Sequence, residues 1–259
     1  MERVRLLLQA YSSQIGTLRL IVRGVSPAAV SALQIDDVDV SSAQQRAGQI
    51  LAFIPLFIIL AAFTGGMAIA TDSTAGERER GSLEPLLVNP VPRAALVTGK
   101  WLAAAFAASL TVGLTTLLSV AMPRFLPLQD MGIRFRLGPE HLGGILAAVL
   151  PMCLFSTALQ ACIATLARSF KEAQSYMGIL ILVPTIPGIM AALYPLGGQV
   201  WMYGVPVLGT QVLLTNVLGG RPPIVAAFIT SAAVSVLAAM LLVRVTTMLF
   251  RSERIIFGR

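Results

Sequence analysis

Leu51-Ala-Phe-Ile-Pro-Leu-Phe-Ile-Ile-Leu-Ala-Ala-Phe-Thr-Gly-Gly-Met-Ala-Ile-Ala-Thr71 runs directly into Asp72-Ser-Thr-Ala-Gly-Glu-Arg-Glu-Arg-Gly-Ser-Leu-Glu-Pro-Leu-Leu-Val-Asn-Pro90. The first stretch carries no charge, and the second gathers Asp72, Glu77, Arg78, Glu79, Arg80 and Glu84 in a chain that is only 12% charged. An apolar body ends here and meets water.

Composition fixes the class of that body. Of 259 residues, 56% are hydrophobic, and the mean hydropathy is +0.81, whereas soluble domains average roughly 25% charged residues. Five windows, about 48–71, 96–122, 142–167, 174–194 and 224–250, are each long enough at about 1.5 Å per residue to cross a hydrocarbon core of about 30 Å. The chain reads as an integral membrane protein. Its formal net charge of +7 belongs to loops flanking spans, which points to topology and not to nucleic acid.

Basic residues orient the spans. With the 72–95 loop inside, Arg78, Arg80, Arg93, Lys100, Arg168, Lys171, Arg244, Arg251, Arg254 and Arg259 are cytoplasmic, against Arg46, Arg124, Arg134, Arg136 and Arg221 outside. The positive-inside rule then predicts an external N-terminus and a cytoplasmic C-terminus, although counting Arg3, Arg5, Arg19 and Arg23 nearly cancels the difference.

Outside the spans, Val4, Leu8, Tyr11, Ile15, Leu18 and Val22 recur at spacings of four and three, the stripe of an amphipathic helix that Gly24 and Pro27 stop. Asp36, Asp37 and Asp39 alternate with Ile35, Val38 and Val40 in an extended segment, without the spacing or distal Glu of a calcium loop. Residues 195–223 are apolar, too short in either half to span, and broken by Gly and Pro. They are expected to form two half-helices dipping into the outer leaflet, with Trp201 and Tyr203 at headgroup depth.

Catalytic chemistry is poorly supplied. The span interiors are read as free of Asp, Glu, Lys, Arg and His; His141 stands at the mouth of the third span, and no G-x-S-x-G or H-E-x-x-H occurs. Cys153 and Cys162, nine positions apart in one span, fall on opposite helix faces and are expected to pack as small apolar groups, with no metal site. Gly99-Lys100 lacks the earlier Gly and following Ser or Thr of a Walker A loop, those positions being Ala94 and Trp101. Thr111, Thr115 and Ser119 share one face, as do Ser156 and Gln160. Such residues either bond neighbouring helices or line a pathway.

Leu83, Leu86 and Leu87 at i, i+3 and i+4 predict a short helix that buries one face while Glu77, Arg78, Glu79, Arg80 and Glu84 stay hydrated. Gly76 and Gly81 are read as sharp entries and Pro90 as the stop. A rigid surface element between two spans either transmits a push from a soluble partner or only sets topology.

At these residues the chain resembles the permease subunits of type-2 ABC exporters, and within them the sodium-efflux (NatB-like) branch. The resemblance rests on Ala75-Gly-Glu-Arg-Glu-Arg-Gly-Ser-Leu-Glu-Pro-Leu-Leu87, on Pro90-Val-Pro-Arg93 leading to Gly99-Lys100, and on Phe250-Arg-Ser-Glu-Arg-Ile-Ile-Phe257. It implies a homodimeric or heterodimeric pore in the plasma (inner) membrane of a prokaryote, worked by a separate ATPase that holds the ATP and magnesium. Glu77, Arg78, Glu79, Arg80, Glu84, Leu83, Leu86 and Leu87 would form the coupling element, and Thr111, Thr115, Ser119, Ser156 and Gln160 the polar residues facing a pathway. Members normally have six spans and an external domain after the first. This chain is expected to start within the tail of that domain, so a truncated or non-transporting scaffold is the alternative, and a membrane enzyme a weaker one.

The expected architecture is an all-α integral membrane protein with five transmembrane helices, a cytoplasmic amphipathic coupling helix within 72–92 and a re-entrant outer helical hairpin at 195–223. Residues 1–47 would form an external segment and 48–259 the permease domain. No cofactor or metal is expected in this chain, and no nucleic-acid partner.

Overall fold

The computed structural model describes residues 15, 19, 21–24, 53–88, 90–121, 140–194, 199–219 and 224–250. The chain divides into two compact units, Met1–Ser41 and Ser42–Arg259. In the first, Ile15, Arg19, Ile21 and Val22 are helical, and Gly24 ends the turn at φ 74° while donating its N–H to the Ile21 carbonyl at 3.0 Å. A left-handed residue just past a helix is the position glycine fills best. Ile15 is half-buried and Val22 exposed; the other stripe positions, and the acidic segment at 35–40, lie outside the described residues.

All secondary structure described in the second unit is helical. Helix α1 (Ile54–Thr64) pauses at Gly65-Gly66 and continues as α2 (Met67–Thr71), a π turn (Asp72–Gly76) and α3 (Glu77–Glu79). Together these make one apolar rod of 26 residues. After α4 (Leu83–Val88) come α5 (Arg93–Ala121) and α6 (Glu140–Leu166), then α7 (Phe170–Leu180) and α8 (Leu182–Leu193), which form one span. A 3₁₀ turn (Val200–Gly204), α9 (Pro206–Leu218) and α10 (Val225–Leu249) complete the described elements. Among them are five helices long and apolar enough to cross a membrane.

The packing follows membrane logic. Helix α6 lies against α1, α5, α9 and α10, and the windows of α6 and the first rod are 44% and 56% buried, against 28% or less for the other three spans. Helix α10 turns Ala227, Ser231, Ser235, Ala239, Val243 and Thr246 inward, a small-residue stripe at nearly constant spacing of four that lets backbones approach. On α5 the buried side is Ala104, Ala108, Val112 and Thr116, while Leu102, Phe106, Leu110, Leu114 and Leu118 are exposed. Small side chains inside and large ones outside suit lipid and would be untenable in water.

Three expectations need correction. The first span was expected to end at residue 71, but helical structure runs on to Glu79. Of the two glycines read as sharp entries, Gly76 is helical at φ −65° and only Gly81, whose φ is 69°, stands at the break. The fourth span starts at Phe170, not at 174. The span interiors are not free of charge either: Lys100 lies within α5, Lys171 and Glu172 within α7, and Arg244 within α10, all near helix ends where long side chains reach the interface.

Between α8 and α10 the described part of 195–223 is one 3₁₀ turn and one 13-residue helix. At about 1.5 Å per residue α9 is about 20 Å long, too short to span. A Cβ on Gly209 would stand 3.0 Å from the Tyr203 Cα, so the turn folds tightly onto α9. Trp201 is exposed and Tyr203 buried.

Candidate functional site

Four charges on consecutive residues cannot share a helix face, because each is turned about 100° from the last. At the end of the first rod this scatters Glu77, Arg78, Glu79 and Arg80 onto different neighbours. The carboxylate of Glu77 pairs with the Nζ of Lys100 on α5, which also donates to the Ser73 carbonyl inside the π turn. Arg78, half-buried, donates from Nη1 to the Ala167 carbonyl at 2.6 Å and from Nη2 to the Thr165 carbonyl at 2.9 Å. Those carbonyls lie at the C-terminal end of α6, where helices leave acceptors unpaired and a cation is favoured. Glu79 accepts the Phe170 N–H at 2.6 Å. That amide opens α7, where helices leave donors unpaired and an anion is favoured.

Arg78 and Glu79 therefore grip the two sides of the short α6–α7 loop, each with the charge its helix end prefers. The loop also caps itself. Ser169 Oγ accepts the Glu172 N–H at 3.2 Å, and Glu172 accepts the Arg168 N–H at 2.7 Å. Arg80 turns back to Asp72 at 2.8 Å, both exposed, and this bond raises the already high pKa of the Arg80 guanidinium. The pair passes so close to Gly76 that a Cβ there would come within 2.7 Å of Asp72 Oδ1.

A second tie lies beside this clasp. Leu83 is buried in a cluster with Val97, Ala158, Ala239, Val243 and Phe250, and Arg93 donates to the Phe250 carbonyl at 3.0 Å. Leu83 thus anchors α4 as the leucine spacing expects, and Leu86 is half-buried; the side chains of Glu84 and Leu87 lie outside the described residues. The expectation of full hydration fails for Arg78, which burial and two backbone carbonyls hold in place.

The polar residues of the spans occupy a different region. Gly65-Gly66 interrupts the first rod, and the Ala62 carbonyl there accepts from Ser156 Oγ at 2.7 Å while the Phe63 carbonyl accepts from Gln160 Nε2. Both side chains are fully buried. Neighbouring helices often re-satisfy backbone groups freed by a break in this way. The hydroxyls of Thr111, Thr115 and Ser119 each bond the carbonyl four residues earlier, at 2.8 to 2.9 Å, and Thr111 faces Gly65. Cys153 and Cys162 are free and buried in α6.

Residues 2–198 match the family described as ABC-2 family transporter protein. The chain belongs to the ABC-2 transporter family. It is a multi-pass membrane protein of that family, and it is 26% identical over 246 residues to the ABC transporter permease protein NatB of Bacillus subtilis (strain 168). That alignment covers 93% of this ABC-2 chain and 63% of NatB, so the chain spans somewhat less than two thirds of that relative. No solved structure matches.

Within this ABC-2 chain, sequence reasoning found the charged segment but not its partners Lys100, Thr165, Ala167 and Phe170. Lys100 could have been found as a lone cation inside an apolar helix, which commonly marks a partner. The pattern Ser169-x-x-Glu172 is a readable helix start. The carbonyls of Thr165 and Ala167 carry no sequence signal at all.

Proposed function

We propose that this chain is the permease subunit of an ATP-driven exporter, coupled through residues 77–88 to a separate ATPase that binds ATP and magnesium. The observation that carries the reading is the charged end of the first rod, built on the Glu77–Leu87 segment of an ABC-2 chain and tied by side chains to α5, α6 and α7. A segment fixed to that many helices can move them together. Glu77, Arg78, Glu79, Arg80, Glu84, Leu83, Leu86 and Leu87 are its coupling element in this proposal.

A second permease copy or homologue completes the pathway in this proposal, resting on the resemblance to type-2 ABC permeases. Thr111, Thr115 and Ser119 are the polar residues left for that pathway. Sodium or another small solute is the proposed cargo, resting on the resemblance to sodium-efflux permeases. The 200–218 segment is the outer re-entrant element, since α9 is too short to cross.

The test is purification of the tagged chain from its native membrane, followed by assay of ATP turnover and of radiolabelled sodium uptake into inverted vesicles. An associated ATPase and ATP-dependent uptake are expected. A chain that purifies intact without any ATPase would overturn the permease reading; uptake of another solute but not sodium would overturn only the cargo.

A further inference from the structure

Charged residues in a coupling segment are ordinarily read as the surface that meets the partner. Here three of them are bonded within their own chain. Both terminal nitrogens of half-buried Arg78 donate to backbone carbonyls, exposed Glu79 accepts a backbone N–H with one carboxylate oxygen, and Glu77 pairs with Lys100.

We propose that Arg78 and Glu79 are positioning residues that carry motion of the coupling segment into the α6–α7 loop, with the Glu77–Lys100 pair holding α5 to the same moving unit. The proposal rests on the permease reading and names the route by which that segment would act.

Four features carry it. The gripped atoms are backbone atoms, so the loop cannot escape a displacement of Arg78 or Glu79 by changing a rotamer. The two grips straddle a loop of only Ala167, Arg168 and Ser169, so the end of α6 and the start of α7 receive the same push. The bonds are charge-assisted and each charge suits its helix end, which makes them the strong members of their class. A π turn precedes the clasp, and such turns recur where a helix must adjust locally. The exposed Arg80 and Asp72 remain for contact with the partner.

A clasp that merely stabilises the fold would make a different prediction from one that transmits. The experiment uses the full chain with the ATPase that purifies with it. Lys171, exposed at the start of α7, is replaced by Cys as a reporter, the native Cys153 and Cys162 being buried. With an unaltered clasp, magnesium and ATP are expected to change the rate at which a water-soluble maleimide labels position 171 by about threefold or more. Arg78→Gln should abolish that change in preparations that carry the ATPase, and Arg78→Lys, able to reach one carbonyl, should restore part of it.

Glu79→Ala should behave like Arg78→Gln, whereas Glu79→Gln, whose amide oxygen still accepts the Phe170 N–H, should stay near wild type. Should Arg78→Gln fail to fold, the Glu79 pair decides the matter. An ATP response that survives both Arg78→Gln and Glu79→Ala would overturn the relay. So would loss of the ATPase from either variant, which would make these residues docking contacts. Absence of an ATPase from the wild-type preparation would instead overturn the permease reading, and the relay with it.

Discussion

At Gly66 there is no space for a side chain. A Cβ would stand 2.5 Å from Thr157 Cγ2 and 2.7 Å from the Ala104 carbonyl oxygen, so α5 and α6 both crowd the break in the first rod. The carbonyl belongs to backbone and cannot turn aside. Gly66→Ala should therefore cost about 1–3 kcal/mol, as overpacking does, and lower the thermal midpoint of the detergent-solubilised protein by several degrees. Gly99→Ala is the control, because a Cβ there meets nothing within 4 Å and alanine favours a helix. An equal loss in both variants would refute the close approach. The neighbouring Gln160 behaves differently. It donates to Phe63, but its Oε1 is buried without a partner, so Gln160→Leu removes one unpaired acceptor while leaving the Phe63 carbonyl without its donor. The two effects oppose each other, and interhelical bonds in membranes average about 0.6 kcal/mol. Its midpoint should stay within about 2 °C of wild type by the usual conversion, and a drop as large as that of Gly66→Ala would contradict the balance.

Elements show which signals a sequence can carry. The start of α7 is local: Ser169 accepts the Glu172 N–H, and Ser169→Ala should remove about 1 kcal/mol, as loss of an N-cap does. Thermal unfolding with Ser169→Asp as the restoring variant checks this, since aspartate caps equally well. That start is legible at residues 169–172, although hydropathy alone places the span later. The end of the first rod was not legible. Glycine at 76 and a run of charges argue locally for a break, yet the rod continues because Lys100, Thr165 and Ala167 supply partners from two other helices. Leucine spacing told that Leu83 would be buried; it could not tell that Phe250, 167 positions away in sequence, lies in the same cluster. Periodicity reports that a face is apolar, and only the tertiary fold names what covers it.

Across the whole molecule the side-chain ties fix which helix ends lie together. Arg78 joins the ends of the first rod and α6, Lys100 adds the start of α5, and Arg93 adds the end of α10. That end holds Arg78, Arg80, Arg93, Lys100, Arg168, Lys171 and Arg244. The positive-inside count made on the sequence predicts that the clasp end faces the cytoplasm. The prediction is tested with one cysteine at a time. Ser82, exposed between α3 and α4, reports one end, and Val200, 86% exposed in the 3₁₀ turn, reports the other. Both native cysteines are buried, which keeps background labelling low. In intact cells an impermeant maleimide should modify Val200→Cys, and it should reach Ser82→Cys only after permeabilisation. The opposite pattern would invert the topology and place the Glu77–Leu87 segment where no cytoplasmic ATPase could reach it.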